Sequence, residues 1–333
     1  MTDGIYTLAN DHVFDQLVAL LNSIETNASN LPVCVIAYND NLDRVRAEIA
    51  NRPNVTLMDD PTIFARWREF SAQVWATHPH ALATWKKEGI DGVYRLSCNH
   101  RYASFDVEAP FDRFVYLDAD TLVLDSLDII FESLNDHDFV TYDFQFKDPS
   151  HIFNLISPKL LDIFPPERLQ TEIFCSGCYA SKKGLFSPEQ LENLVSKLAA
   201  GEAEVLYLKA PNQSVLNYIT LRSGIAIHNL AVHLPLEKRT GNSVTSKHFE
   251  WRDRVLYDHG KRVTYLHYIG LSSQLFSKLC AGENVYFPYR ETFLHYRYLY
   301  EPEKQPMLLD QLPDQPNNQQ SLTRRVLQKL GMG

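Results

Sequence analysis

An α/β fold, with a mixed and mostly parallel sheet flanked by helices, is predicted by three observations. Strand-like and helix-like patterns alternate through the first 58 residues. The run Val33-Cys34-Val35-Ile36-Ala37 is apolar throughout, which suits a strand covered by helices on both faces rather than one with a wet side. A later apolar run, Phe114-Val115-Tyr116-Leu117, ends abruptly in Asp118-Ala119-Asp120. Open α/β sheets place ligands in the crevice beyond the carboxyl ends of their strands, so this is where function is expected.

Taken in order, Ile5 to Ala9 reads as the first strand. Val13, Leu17, Leu20, Leu21 and Ile24 form one stripe of the helix after it. Pro32 to Tyr38 gives a second strand, a second helix follows, and Val55 to Met58 closes a β-α-β-α-β unit. From Pro61 to Phe105 the chain is rich in aromatic and charged residues, with helical spacing in parts. Arg113 to Leu117 is the next strand. Further strands are expected at Phe139 to Tyr142, Ile225 to Leu230 and Val263 to His267, and helices at Pro188 to Ala200 and Pro211 to Thr220. The polar segment Glu237 to Lys247 reads as a mobile loop. Tyr286 to Tyr289 and Phe293 to Tyr298 read first as aromatic core, with stacking on the rings of a ligand as the alternative use.

With 333 residues, 45% of them hydrophobic, the chain can bury a sizeable core. A net charge of −9 and the lack of a long basic block argue against a nucleic-acid footprint. No apolar run reaches the roughly 18 residues that span a bilayer. The N-terminus enters the first strand without a leader-like segment, which places the protein in the cytoplasm. Five scattered cysteines, Cys34, Cys98, Cys175, Cys178 and Cys280, fit reduced thiols better than a disulfide framework. Cys175 and Cys178 lack the second pair a zinc site needs and read as small buried residues around a glycine turn.

Side chains two apart on an extended strand point to one side, so Asp118 and Asp120 can share a cation if the strand continues past them. Hard oxygen ligands suit Mn²⁺ or Mg²⁺, ions that keep waters and reach a diphosphate. Phosphatases of the haloacid dehalogenase type are the rival for these letters, with Asp118 as nucleophile and Asp120 as acid and base. Their motif normally ends the first strand of the core, however, and here a complete β-α-β-α-β unit precedes it.

The blocks GIYTLANDHVFDQLVALLNSI, RYASF, YLDADTLVLDSL, IFCSGCYASKK, NQSVLN and HYIG, in this order, resemble the GT-A nucleotide-sugar glycosyltransferases, and among them glycosyltransferase family 8. The resemblance covers residues 4 to 270. It implies a GT-A, Rossmann-like domain over residues 1–302 and a metal-dependent glycosyltransferase of hexosyltransferase type. The donor it implies is a nucleotide-diphosphate sugar, UDP-linked; the acceptor is a hydroxyl of a carbohydrate or glycolipid. Retention is the family's outcome, although Asp-x-Asp also occurs in inverting GT-A enzymes and leaves the stereochemistry open. A nucleotide-sugar binder without turnover is a further alternative.

Carried over by position, the resemblance makes Asp118, Asp120 and His267 the metal ligands. Leu8, Ala9 and Asn10 would line the nucleoside pocket; Arg101, Ala119 and Gly270 would approach the donor phosphates or sugar. Gln213, facing the sugar, and Asn212 are the candidate catalytic positions. Four departures stand out: Cys175 replaces an Asn, Asn212 and Ser214 replace acidic residues, and Ser273 stands where a phosphate-binding lysine is expected. Lys261 and Lys278 are the candidates to replace that lysine.

Residues 303–320 are rich in Pro, Gln and Asn and read as a disordered linker. In the tail, 321–333, Leu322, Val326, Leu327 and Leu330 share a helical face beside Arg324, Arg325 and Lys329, a pattern consistent with a peripheral membrane contact.

Overall fold

The computed structural model describes residues 1–308, and eight strands frame its fold. They are β1 (Asp3–Ala9), β2 (Val33–Ala37), β3 (Val55–Met58), β4 (Arg113–Asp118), β5 (Thr121–Val123), β6 (Phe139–Thr141), β7 (Cys178–Lys182) and β8 (Ile227–Asn229). Seven of them form one sheet in the order β3-β2-β1-β4-β7-β6-β8. Every neighbouring pair is parallel except at β7, which runs against both β4 and β6. The predicted class, mixed and mostly parallel with helices around the sheet, is the observed one.

Helices α1 (Phe14–Asn27) and α2 (Asp43–Ile49) complete the expected β-α-β-α-β unit. Leu17, Leu20, Leu21 and Ile24 of the predicted stripe are buried. All five residues of β2 are buried too, as its unbroken apolar run requires. The aromatic, charged stretch resolves into α3 (Pro61–Ala76), α4 (Ala81–Lys87) and a 3₁₀ segment over Leu96–Phe105 packed against α3. Asp60 starts α3 by accepting the Thr62 and Ile63 N–H groups, with proline at the first helical position. The helix expected at Pro188 ends at Ala199, and the one at Pro211 continues to Arg222.

Downstream the chain adds a three-stranded antiparallel sheet, β9 (Glu250–Arg252), β10 (Val255–Asp258) and β11 (Lys261–Arg262), which the sequence did not announce. All three residues of β9 are exposed, so no apolar alternation marks it. The last strand, β12 (Tyr265–His267), pairs antiparallel with β5 and sets His267 opposite Thr121. Helices over Ser273–Cys280 and Arg290–Arg297 cover this part with a second apolar cluster. Phe287, Phe293, Tyr296 and Tyr298 belong to that cluster, so these aromatic segments are mainly core; Tyr286 is 45% exposed.

The segment expected to be a mobile loop is instead packed in place. Thr240, Asn242 and Val244 are buried. The Asn242 amide donates to the Tyr142 carbonyl and the Tyr265 hydroxyl, while its own carbonyl accepts the His267 N–H at 2.8 Å. A polar run reads as loop because its partners lie far along the chain. The expected tail 321–333 and all but the first residues of the expected linker lie outside the described residues. Among the described residues no helix is long and apolar enough to cross a membrane.

Candidate metal and ligand site

Asp118 ends β4, but the strand does not run on through Asp120 as the two-residue spacing suggested. The chain turns over Ala119 and Asp120, leaves the main sheet and restarts as β5. What brings the carboxylates together is therefore the turn, locked by the Tyr268 N–H donating to the Asp120 carbonyl at 2.9 Å. Because β12 pairs with β5, the same lock delivers His267. One ligand atom each from Asp118, Asp120 and His267 lies within 4.8 Å of the others, the spacing at which one cation bridges all three.

Gly177, in the turn before β7, makes the approach possible. Its carbonyl accepts the Asp118 N–H at 2.8 Å. A Cβ added there would overlap the His267 ring, 3.0 Å from Nε2, and come within 3.1 Å of Asp118 Oδ2. Any side chain would fill the cradle between the ligands.

Arg101, which the resemblance placed on the donor side, is buried and pairs with Asp118 at 3.1 Å. It also donates to the Ser176 carbonyl at 2.8 Å and the Ser176 hydroxyl at 3.0 Å, and its guanidinium lies over the Tyr116 ring. Tyr116 donates its hydroxyl to Asp118 at 2.9 Å, from the strand position that shares a face with it. Gln213 and Asn212 both hold the same turn. Gln213 Oε1 accepts the Ser176 N–H at 3.0 Å, and Asn212 donates to the Ser176 hydroxyl at 3.3 Å. Asn217 clamps the segment from behind through both backbone groups of Phe174. The block NQSVLN thus positions CSGC, with Asn212 acting as a neutral donor where a carboxylate was expected.

Two cavities meet at the three ligands. One, of about 500 Å³, is lined by Leu8, Ala9, Asn10, Arg101, Asp118, Ala119 and Asp120, which gathers most of the predicted donor set. Arg95, His12 and Ser273 line it as well, and sequence reasoning missed the first two. Arg95 has φ +54°, a left-handed backbone no motif announces. The other cavity, of about 730 Å³, is lined by His267, Asp143, Cys175, Asn242 and His151 among others. Gly270 has φ +79° with nothing within 4 Å of a Cβ placed on it, so the structure ties glycine there to backbone conformation.

Neither candidate lysine replaces the missing one. Lys261 donates to the Leu236 and Arg239 carbonyls at 3.0 and 2.9 Å. Lys278 faces Glu283 at 3.5 Å. Ser273 instead contacts His12 Nε2 at 2.7 Å.

Charge at the site is uneven. Burial disfavours the His267 imidazolium, yet Asp120, 3.3 Å away, outweighs it and holds the ring well above its ordinary pKa. The same pairing overrides burial at Asp120 and holds that carboxyl below its usual value. A positive charge is thus already favoured between these side chains in the metal-free chain. Two carboxylates, an imidazole and a cradle free of Cβ fit a hard divalent ion such as Mn²⁺ or Mg²⁺. In the larger cavity, burial pushes the Asp143 carboxyl up to about 7, although the Gln145 and Cys175 N–H groups bind it. Cys175 and Cys178 are buried free thiols, as the sequence suggested.

No protein-family model matches the chain, and no curated protein matches it either. Among solved structures it is similar to the apo form of the bifunctional glycosyltransferase WbbM, at 15% identity and TM-score 0.53, over 92% of this chain and 52% of that one. It is also similar to an active-site mutant of LgtC, at 16% identity and TM-score 0.50, over 88% of this chain and 100% of that one. The chain spans about half the length of WbbM. At these identities the likeness is one of fold, and the fold is that of GT-A glycosyltransferases, a mixed α/β sheet flanked by helices.

Proposed function

We propose that the chain is a glycosyltransferase of the family 8 type, which binds a UDP-linked sugar through Mn²⁺ or Mg²⁺ and transfers the sugar to an acceptor hydroxyl. The observation that carries this reading is the convergence of Asp118, Asp120 and His267 around Gly177, between two cavities at the carboxyl edge of the sheet. The fold shared with WbbM supports it. Carbohydrate or glycolipid is the acceptor class, and the cytoplasm the compartment.

Asp118, Asp120 and His267 would hold the ion. When bound, it supplies electrostatic stabilisation of the diphosphate as negative charge develops there. The chain's own residues do the rest. Leu8, Ala9 and Asn10 border the nucleoside, and Arg95 offers the donor cavity a cation where the expected lysine is absent. Arg101 is held by Ser176 and orients Asp118. Gln213 and Asn212 fix the Ser176 turn that faces the sugar. The bond between the anomeric carbon and the diphosphate oxygen breaks, the acceptor oxygen takes its place, and the acceptor proton passes to the departing phosphate. No side-chain base is required, which suits Asn212 and Ser214 where acids were expected.

A thermal-shift screen of UDP, GDP, ADP and their sugars with and without Mn²⁺ tests the reading. Stabilisation by UDP or a UDP-sugar only with Mn²⁺ is expected, because a ligand that binds the folded chain alone raises its melting temperature. Calorimetry on Asp118→Ala and Asp120→Ala should show the Mn²⁺·UDP affinity lost. Undiminished affinity in both variants would reject the site, and binding without hydrolysis or transfer would leave a binder rather than an enzyme.

A further inference from the structure

A second group of ligand atoms sits on the rim of the larger cavity, apart from Asp118, Asp120 and His267. His248, Asp258 and His259 each offer one ligand atom, all within 4.8 Å of one another. His248 Nε2 lies 3.0 Å and His259 Nε2 3.7 Å from the same oxygen, Asp258 Oδ1. The two rings stack at 4.9 Å between centroids and 17° between planes. The second distance is too long for a hydrogen bond, so the carboxylate oxygen satisfies one imidazole while the other is held beside it.

Asp258 itself is buried, and its other oxygen accepts the Gly241 N–H at 2.6 Å. That bond fixes the carboxylate with Oδ1 toward the rings, as a backbone partner fixes a ligating carboxylate in metal sites. The imidazoles are reached from solvent, with side chains 49% and 78% exposed. Two imidazole nitrogens and one carboxylate oxygen, with room for water, are the donor set of an open zinc site, richer in nitrogen than the two carboxylates and one imidazole of the first cluster.

We propose that His248, Asp258 and His259 bind Zn²⁺, or a similar nitrogen-preferring divalent ion, and so clamp the 240–248 segment to the turn after β10. Asn242, Ser243 and Ser246 of that segment line the same cavity as His267, so the clamp fixes the wall against which an acceptor lies. It acts on shape, at a distance from the reacting atoms, and stands whether or not glycosyl transfer is the activity.

The test uses the full chain carrying Asp118→Asn and Asp120→Asn, which removes the other cation site, titrated with Zn²⁺ by calorimetry and with Co²⁺ by visible absorption. One equivalent of Zn²⁺ is expected, with Co²⁺ giving the bands of a low-symmetry site. Adding His248→Ala and His259→Ala, both exposed and harmless to the core, should weaken Zn²⁺ binding at least about 100-fold, beyond the loss seen when only supporting residues are changed. Zn²⁺ should also slow amide exchange across residues 241–248 in the chain with both histidines and not in the chain without them. No binding, equal binding after both histidine substitutions, or binding with unchanged exchange at 241–248 would each overturn the proposal.

Discussion

The two cavities that meet at Asp118, Asp120 and His267 are lined by different chemistry. The smaller one gathers Arg95, Arg101 and His12 beside the first turn of the Ser273–Cys280 helix, all of them favourable to an anion. The larger one gathers Asp143, Asp148 and Asp258 with His151, His248 and His259, groups able to exchange hydrogen bonds with hydroxyls. One carboxylate-and-imidazole partition thus stands between a chamber lined by cations and a chamber lined by carboxylates and imidazoles. The difference shows that the walls, as well as the three side chains between them, distinguish the two cavities.

Four experiments break or sharpen this contrast, in falling order of effect. Gly177→Ala strikes the partition itself. Its Cβ would overlap the His267 ring, so Mn²⁺·UDP affinity should fall about 100-fold, with a stability loss of about 1–3 kcal/mol typical of overpacking. Calorimetry and urea unfolding measure the two separately. Arg95→Ala should cost the smaller cavity one charge-assisted contact, about 1.5–3 kcal/mol or roughly 10- to 100-fold in UDP affinity, and leave uridine binding nearly unchanged. Equal losses for UDP and uridine would place Arg95 against the base instead.

Ser273→Lys supplies the cation that the resemblance to family 8 implies there, at the cost of the contact with His12. A gain of several-fold in UDP affinity, on the order of 1 kcal/mol, is expected by competition binding. The smallest effect is on pH dependence, and it belongs to the other chamber. Asp143 titrates near 7 in the folded chain and near 3.8 when unfolded. Its burial therefore favours unfolding progressively as pH rises from about 4 to about 7. Melting temperatures of the metal-free protein should decline over that window, and Asp143→Asn should flatten the slope. The slope is the readout, since asparagine cannot accept from both Gln145 and Cys175 as the carboxylate does.

The parallel half of the fold was legible because its signals are local. The apolar run of β2, the stripe on α1 and the carboxylates at the end of β4 each declare themselves within a few residues. The structure brings together Asp118, Asp120 and His267, the set that the resemblance implied, but a turn over Ala119 and Asp120 and not a continuing strand joins the two aspartates. The β5 and β12 pairing that delivers His267 joins distant segments and leaves no periodicity to read. Gly177 was visible in CSGC, yet its necessity depends on a histidine that arrives from elsewhere. Arg95 stayed hidden because a left-handed arginine carries no pattern, and β9 because no face of it is buried. Asn242 was misread for a related cause: its amide satisfies groups on β12 and beside β6, which makes a polar stretch part of the interior.

The pairing of β5 with β12 also orders events in time. A chain emerging from the ribosome delivers β1 through β4 and both aspartates early. His267 arrives only when almost every sheet strand has been made. A product that stopped short of residue 267 would carry both aspartates but lack the imidazole that completes the cluster.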